Sequence, residues 1–345
     1  MRVAVITDRI PRTRGGAATL QEDVLEAVLE LAADSQHEFC IAGPVHGEAL
    51  AGEALPRNVA IVNTGELMRS RLSRALRVMA PGLVFAARAA GWRTALDRRL
   101  AGWGADLAWF LTPLFLPTDL PYFYPVWDLQ HRRQPWFPEV SSRGRWTLRE
   151  IMYREATQRA ALLIVPNATA EQELQTFYGI LPERCIRLGH PTPTFALRAA
   201  EPAPPSARVA GWLKEEFVVY PSQFWPHKNH VTLLKALRIL QDRFGRKVQA
   251  VFPGSDAGNL SHVQAQAASL GLEKQVHFPG FVSRDDLVHL YRHALALAFP
   301  SHFGPDNLPP LEAMALGCPV IAADVPGIKG QLGDAALLVD PADAQ

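Results

Sequence analysis

Residues Ala294 to Gly317 read as an apolar strand that runs through a short loop directly into a helix. No other segment constrains the chain as much. The loop holds Gly304, Pro305 and Asn307. Pro309 and Pro310 stand in the first helical turn, where a proline loses no intrahelical hydrogen bond. Free N–H groups and the helix dipole make such a junction an anion site. Glu312, just inside the helix, cannot favour a phosphate, and its natural work is to accept hydrogen bonds from a polyol such as ribose. Phosphates on a helix end beside a carboxylate for hydroxyls describe a nucleotide site. A buried helix with a capping glutamate is the plainer alternative.

The rest of the chain repeats this rhythm. Strands are predicted at Arg2–Thr7, Glu38–Ala42, Val59–Asn63, Leu107–Leu111 and Ala161–Val165. A second series falls at Phe217–Tyr220, Val248–Phe252, Val276–Phe278, Ala296–Phe299 and Val320–Ala322, with helices near 229–243, 259–270, 284–293 and 308–316. Leu233, Leu237, Leu240 and Phe244 lie at helical spacing on one face. Strand–helix alternation implies parallel sheets with helices on both faces. With 345 residues there is room for two such domains, and a stretch with five prolines, Pro191 to Ser206, is a plausible hinge. The expected domains are residues 1–195 and 196–345, with a ligand cleft between them at the carboxyl ends of the strands.

Composition narrows the function. Apolar residues make up 48% and charged residues 20%, which suits a globular protein with a substantial core. A formal net charge of +1 argues against a nucleic-acid partner. The first strand is too short for a signal peptide, and no apolar run reaches membrane-spanning length. Cys40, Cys185 and Cys318 are widely spaced and read as buried hydrophobes in a reducing compartment, so no metal site is expected.

Two further loops carry chemistry. In Val218 to His230 a lysine, Lys228, stands at a helix start, where the dipole disfavours a cation. An external anion would explain it; a solvated helix-end cation is the alternative. Gly15 and Gly16, after Arg12-Thr13-Arg14, let backbone approach a ligand closely. A third feature is the set of eight arginines between Arg69 and Arg99, interleaved with apolar residues. It reads as a contact for an anionic membrane or a polyanionic acceptor, or as solvated helices with arginine stems over apolar surface.

Pro300 to Ile321, P-S-H-F-G-P-D-N-L-P-P-L-E-A-M-A-L-G-C-P-V-I, resembles the donor-site signature of retaining glycosyltransferases of family 4. Their usual form is P-S-x-x-E-G-F-G-L-P-x-L-E-A-M-A-x-G-x-P-V-I. The resemblance runs strongly from Pro166 to Asp340. It implies the GT-B fold, two Rossmann-like domains, with the donor nucleotide on the second and the acceptor on the first. Glu312 matches the family's second glutamate, whereas the first falls on Gly304, leaving Asp306 as the nearest substitute. Lys228 matches the family's diphosphate lysine, and Gln223 stands where an arginine is usual. By the same resemblance Gly15, Gly16, Gly254, Val282, Asn307 and Leu308 are donor-binding candidates. The family's His-Asp pair falls on Trp127 and Asp128, so Asp128 or His131 would face the sugar. Relatives continue with further helices, so the C-terminal end is expected to be truncated.

The resulting expectation is an enzyme that moves a sugar from a nucleotide-sugar, with retention, to a glycan, lipid-linked or other acceptor. It needs no cofactor. Such an enzyme belongs to polysaccharide or cell-envelope biosynthesis in the cytoplasm, with or without peripheral contact at the inner membrane face. The rivals are a weak or inactive nucleotide-sugar-binding protein, favoured by Gly304 and Trp127, and a GT-B epimerase. The lack of G-x-G-x-x-G at the start of either half argues against a nicotinamide dehydrogenase.

Overall fold

The computed structural model describes residues 1–8, 10, 15–43, 55–63, 93–199 and 201–345. The first half is built on a seven-stranded parallel sheet. Its strands are β1 (Arg2–Ile6), β2 (Glu38–Gly43), β3 (Val59–Asn63), β4 (Leu107–Phe110), β5 (Tyr122–Pro125), β6 (Leu162–Val165) and β7 (Cys185–Arg187). They lie in the order β3-β2-β1-β4-β5-β6-β7. The second half carries β8 (Phe217–Val219), β9 (Gln249–Pro253), β10 (Val276–Gly280), β11 (Ala296–Phe299), β12 (Val320–Ala323) and β13 (Leu337–Val339). That sheet runs β10-β9-β8-β11-β12-β13, again all parallel.

The sequence explains these strands. β1 (R-V-A-V-I) and β11 (A-L-A-F) are apolar at consecutive positions because helices cover both faces of a parallel sheet. In the first core Phe110 meets Tyr122 and Tyr124 edge-on, at 5.6 and 5.9 Å between ring centroids. Both tyrosine hydroxyls donate to carbonyls, of Ala156 and Pro113, so neither polar tip is left dry. The second core gathers Phe217, Val219, Phe252 and Leu297 with Leu233 and Leu237 from the His230–Phe244 helix. Leu240 and Phe244 continue the helical stripe, but they stand outside that core and Phe244 is 68% exposed.

Each sheet reverses its strand order once, between β1 and β4 and between β8 and β11. Ligand crevices open at the carboxyl ends of strands flanking such points. The loops that leave β8 and β11 therefore hold the best position in the fold, and they face the first half. Gln134 Nε2 donates to the His302 carbonyl at 2.9 Å, and Asn167 Nδ2 to the Pro305 carbonyl at 2.6 Å.

The proline-rich stretch expected as a hinge is fastened to both halves: Thr194 N–H donates to Asp23 and Arg198 pairs with Glu26 in the first, and its later residues bond to the second. Arg292 reaches the Ala199 carbonyl, His289 the Ala203 carbonyl, and the Ser206 N–H donates to Asp286. Of the arginine-rich segment, Arg69, Arg71, Arg74, Arg77 and Arg88 lie outside the described residues, as do Arg12, Thr13 and Arg14. Arg93 pairs with Asp119 at 3.2 Å. Among the described residues no helix is long and apolar enough to cross a membrane.

Candidate functional site

A cleft of about 880 Å³ lies between the halves and is lined by both. That volume suits a ligand of nucleotide-sugar size. On its second-half wall the chain leaves β8, passes Gln223 and closes a short 3-10 turn over Pro226–Lys228. The Tyr220 hydroxyl holds that turn by donating to the Lys228 carbonyl at 2.7 Å. Asn229 follows with φ +56 and donates to the Pro300 and Pro341 carbonyls, tying the two loops together.

Lys228 Nζ sits 5.2 Å from the centroid of the Phe299 ring. No carboxylate of the described residues reaches ion-pair distance of it. Burial pushes the ammonium down to about 8, and the charges of Asp128 and Glu139 work in the opposite direction. Lys228 is thus a half-buried cation over an aromatic face, with no counter-ion among the described residues.

The loop after β11 ends at Asn307, which caps the Leu308–Ala315 helix without a side-chain bond to it. The Asn307 N–H is bonded instead to Gln331 Oε1, and Gln331 Nε2 returns to the Asn307 carbonyl. Glu312 is buried one turn in and accepts from the Tyr291 hydroxyl at 2.8 Å. Burial raises its carboxyl to about 7, against the pull of the tyrosine bond. Gly254, on the adjoining β9 loop, is a steric necessity: a Cβ there would stand 1.9 Å from the Ser222 carbonyl oxygen.

The first half supplies the facing wall. Gly15, at φ +65, opens the Gly16–Ala33 helix, and a Cβ on Gly16 would lie 3.3 Å from Leu308 Cδ1. The two helix starts therefore approach one another across the cleft. Asp128 accepts from the Gln130 N–H at 2.9 Å and faces Arg149 at 3.9 Å. Glu139 crosses to the other half, accepting from the His227 N–H at 3.1 Å and bonding its ring Nδ1 at 2.5 Å. Burial holds His227 near 4. Glu139 stays below the usual carboxylate range because the bonds from His227 outweigh its own burial. The pair is a neutral imidazole donating Nδ1–H to an ionised carboxylate.

The structure brings Gly15, Gly16, Asp128, Gln223, Lys228, Gly254, Val282, Asp306, Asn307, Leu308 and Glu312 to the cleft. It does not bring His131. That ring is fully buried in the first half, stacked on Tyr153 at 5.4 Å, with Nε2 between the Tyr178 hydroxyl and Glu150. The expectation that His131 faces the sugar is therefore corrected. On the short Gln130–Arg133 helix its side chain turns inward, and Asp128 remains.

Two other candidates keep only part of their reach. Asn307 Nδ2 is spent on the Gly304 carbonyl at 2.7 Å, and Gln223 Oε1 accepts from Trp225 Nε1. Residues that the sequence reading passed over also line the cleft, above all Glu139, Arg149 and His190. Their signal is spatial: Glu139 and His227 are 88 positions apart, and His190 and Asp306 are 116.

Residues 207–345 match the model of the family described as glycosyl transferases group 1. The O-antigen chain mannosyltransferase RfbU of Salmonella typhimurium is 32% identical over 130 residues, covering 38% of this chain and 36% of that protein. A D-inositol 3-phosphate glycosyltransferase of Mycolicibacterium gilvum is 33% identical over 203 residues, covering 54% and 42%. The chain thus spans about two fifths of the length of these relatives. Among solved structures, Anabaena Alr3699/HepE in complex with UDP and glucose superposes over 100% of this chain and 87% of its own, with a TM-score of 0.64 and 19% identity. Sucrose-phosphate synthase of Thermosynechococcus elongatus gives a TM-score of 0.68 at 18% identity, over 100% and 87%. The architecture is GT-B, and the loops that leave β8, β9 and β11 lie within the segment that matches glycosyl transferases group 1.

Proposed function

We propose that the protein is a glycosyltransferase that takes a sugar from a nucleoside-diphosphate donor and passes it, with retention at the anomeric carbon, to a glycan or lipid-linked acceptor. The observation that carries this reading is Lys228. It is a half-buried cation without a counter-ion among the described residues, on a cleft that the start of the Leu308–Ala315 helix also lines, with Glu312 one turn in. Diphosphate on the lysine and helix end leaves Glu312 to take ribose hydroxyls. The transferred sugar then falls toward Asp128 on the facing wall. The acceptor enters from the first half.

The bond that breaks joins the anomeric carbon to the diphosphate, and the bond that forms joins it to the acceptor oxygen. Stabilising the leaving diphosphate is the main task, and Lys228 with backbone N–H groups supplies it. The relatives named O-antigen mannosyltransferase support a role in building cell-envelope polysaccharide.

The test is calorimetry of UDP, GDP and ADP, and of their nucleosides, with the parent and Lys228→Ala. The expected loss is about ten- to a hundredfold for the diphosphate that binds, from a charge-assisted contact worth roughly 1.5–3 kcal/mol. The nucleoside should change little. Equal loss of both would make Lys228 a structural residue.

A further inference from the structure

Between Gln134 and Glu139 the first half grips both of the loops that leave β8 and β11. Gln134 Nε2 donates to the His302 carbonyl, and the Phe137 ring lies 6.1 Å from the rings of both His227 and His302. Glu139 makes the charge-assisted contact. Its Oε1 accepts from the His227 N–H and bonds the ring Nδ1, and its side chain is only 6% exposed. The His227 carbonyl in turn accepts the His302 N–H at 2.9 Å, so the two loops are joined at the residue that Glu139 holds.

A carboxylate buried on a cleft for an anion is costly, and the next residue along explains it. Lys228 follows His227 directly, and burial by itself favours its neutral form. The carboxylates that act on this lysine are Asp128 and Glu139, and both belong to the first half. Asp306 and Glu312, from its own half, line the cleft but are not among them. The adjacent rings of His227 and His230 are kept neutral by burial. Arg145 and Arg149 line the same cleft, and their charges can only oppose the ammonium.

We infer that Glu139 is a positioning residue for the donor diphosphate: it reaches across the cleft to fix the turn that bears Lys228 and, with Asp128, keeps that lysine a cation inside the cleft. The inference deepens the proposed donor site and rests on it. The two halves then share one anion site. The second supplies the ammonium, and the first supplies the negative charge that lets it stay ionised there.

The test is calorimetry of UDP, GDP and ADP with the whole chain from about pH 6.5 to 9.5, a range that spans an ammonium held near 8. The proteins are the parent, Glu139→Gln, Glu139→Asp and Asp128→Asn, each with and without Lys228→Ala. The ratio of the paired affinities isolates the lysine, because titration of Asp306, Glu312 or the ligand cancels. In the parent this ratio should hold to about pH 8 and fall above it. Glu139→Gln should move the fall to lower pH by about half a unit or more, and Asp128→Asn should move it the same way. Glu139→Asp keeps the charge and should restore most of the shift. The position of the fall is the readout, since removing a carboxylate from an anion site changes affinity at every pH.

An unmoved fall in Glu139→Gln, whatever the affinity, reduces Glu139 to a brace between the halves and overturns the inference. Should that variant not fold, an unmoved fall in Asp128→Asn or a displaced one in Glu139→Asp overturns it instead. A parent ratio well above one but flat with pH also overturns it and leaves the proposed function standing. A ratio of one, or a parent that binds none of the three diphosphates, removes the proposed function and this inference with it.

Discussion

Gly304 and Asn307 behave as one unit, and a double-mutant cycle can show it. Gly304 sits at φ +145, and a Cβ there would meet Asn307 Oδ1, Nδ2 and Cγ at 2.3, 2.4 and 2.7 Å. Gly304→Ala must therefore strain the backbone, at roughly 1–3 kcal/mol. It must also drive the Asn307 amide off the Gly304 carbonyl, losing a bond worth about 0.5–1.5 kcal/mol. The single variant should lose about 2–4 kcal/mol by denaturant unfolding. Asn307→Ala should lose about 1 kcal/mol, because only the amide bond goes. In the double variant the clash has no partner and the bond is counted once. The double loss should then fall short of the sum by about 1 kcal/mol or more. Additive losses, within about 0.5 kcal/mol, would refute the steric coupling.

Other substitutions probe separate parts of the account. Glu312→Gln should narrow the preference for ribo- over 2′-deoxyribonucleotides in competition binding, since Tyr291 holds one oxygen and the other faces the cleft. An unchanged preference would make Glu312 a structural residue. Gly254→Ala should cost about 2–4 kcal/mol in unfolding free energy, because the Ser222 carbonyl cannot give way; a neutral result contradicts the close approach. His230, with both ring nitrogens unpartnered between Phe224 and Tyr220, is held near 3 by burial. Its ordinary value is 6.5, so its depressed titration gives stability that is whole above 6.5 and lost as pH falls toward 3. His230→Phe should therefore gain about 2 kcal/mol more over the parent at pH 5 than at pH 8, read from unfolding curves. A gain independent of pH would show that the ring titrates normally.

Much of the fold was legible because its strands are runs of apolar and β-branched residues between turn residues. β1, β3 and β11 fall where the pattern predicts them. β5 was not seen: Y-F-Y-P lies among Pro117, Pro121 and Pro125 and reads as a loop, yet its tyrosines are the centre of the first core. β7 was also missed, being three residues at the sheet edge with Ile186 half exposed. The second-half site was readable because its chemistry is local, a glycine, a lysine and a carboxylate at fixed offsets from strand ends. Its first-half counterpart was not, since Glu139 and His190 matter only through partners across the cleft. Spacing also misled at His131. Four residues from Trp127 looked like a substitute for the missing histidine, but the intervening turn buries the ring in the first core.

The central claim is sugar transfer from a nucleotide donor, and turnover tests it most directly. Diphosphate release should be followed from UDP-glucose, GDP-mannose and ADP-glucose, for the parent and for Lys228→Ala. One donor should be cleaved with saturable kinetics, and Lys228→Ala should lower kcat/KM by about ten- to a hundredfold. If the parent neither binds nor cleaves any sugar nucleotide, or if Lys228→Ala turns over as the parent does, the cleft is not the donor site described here.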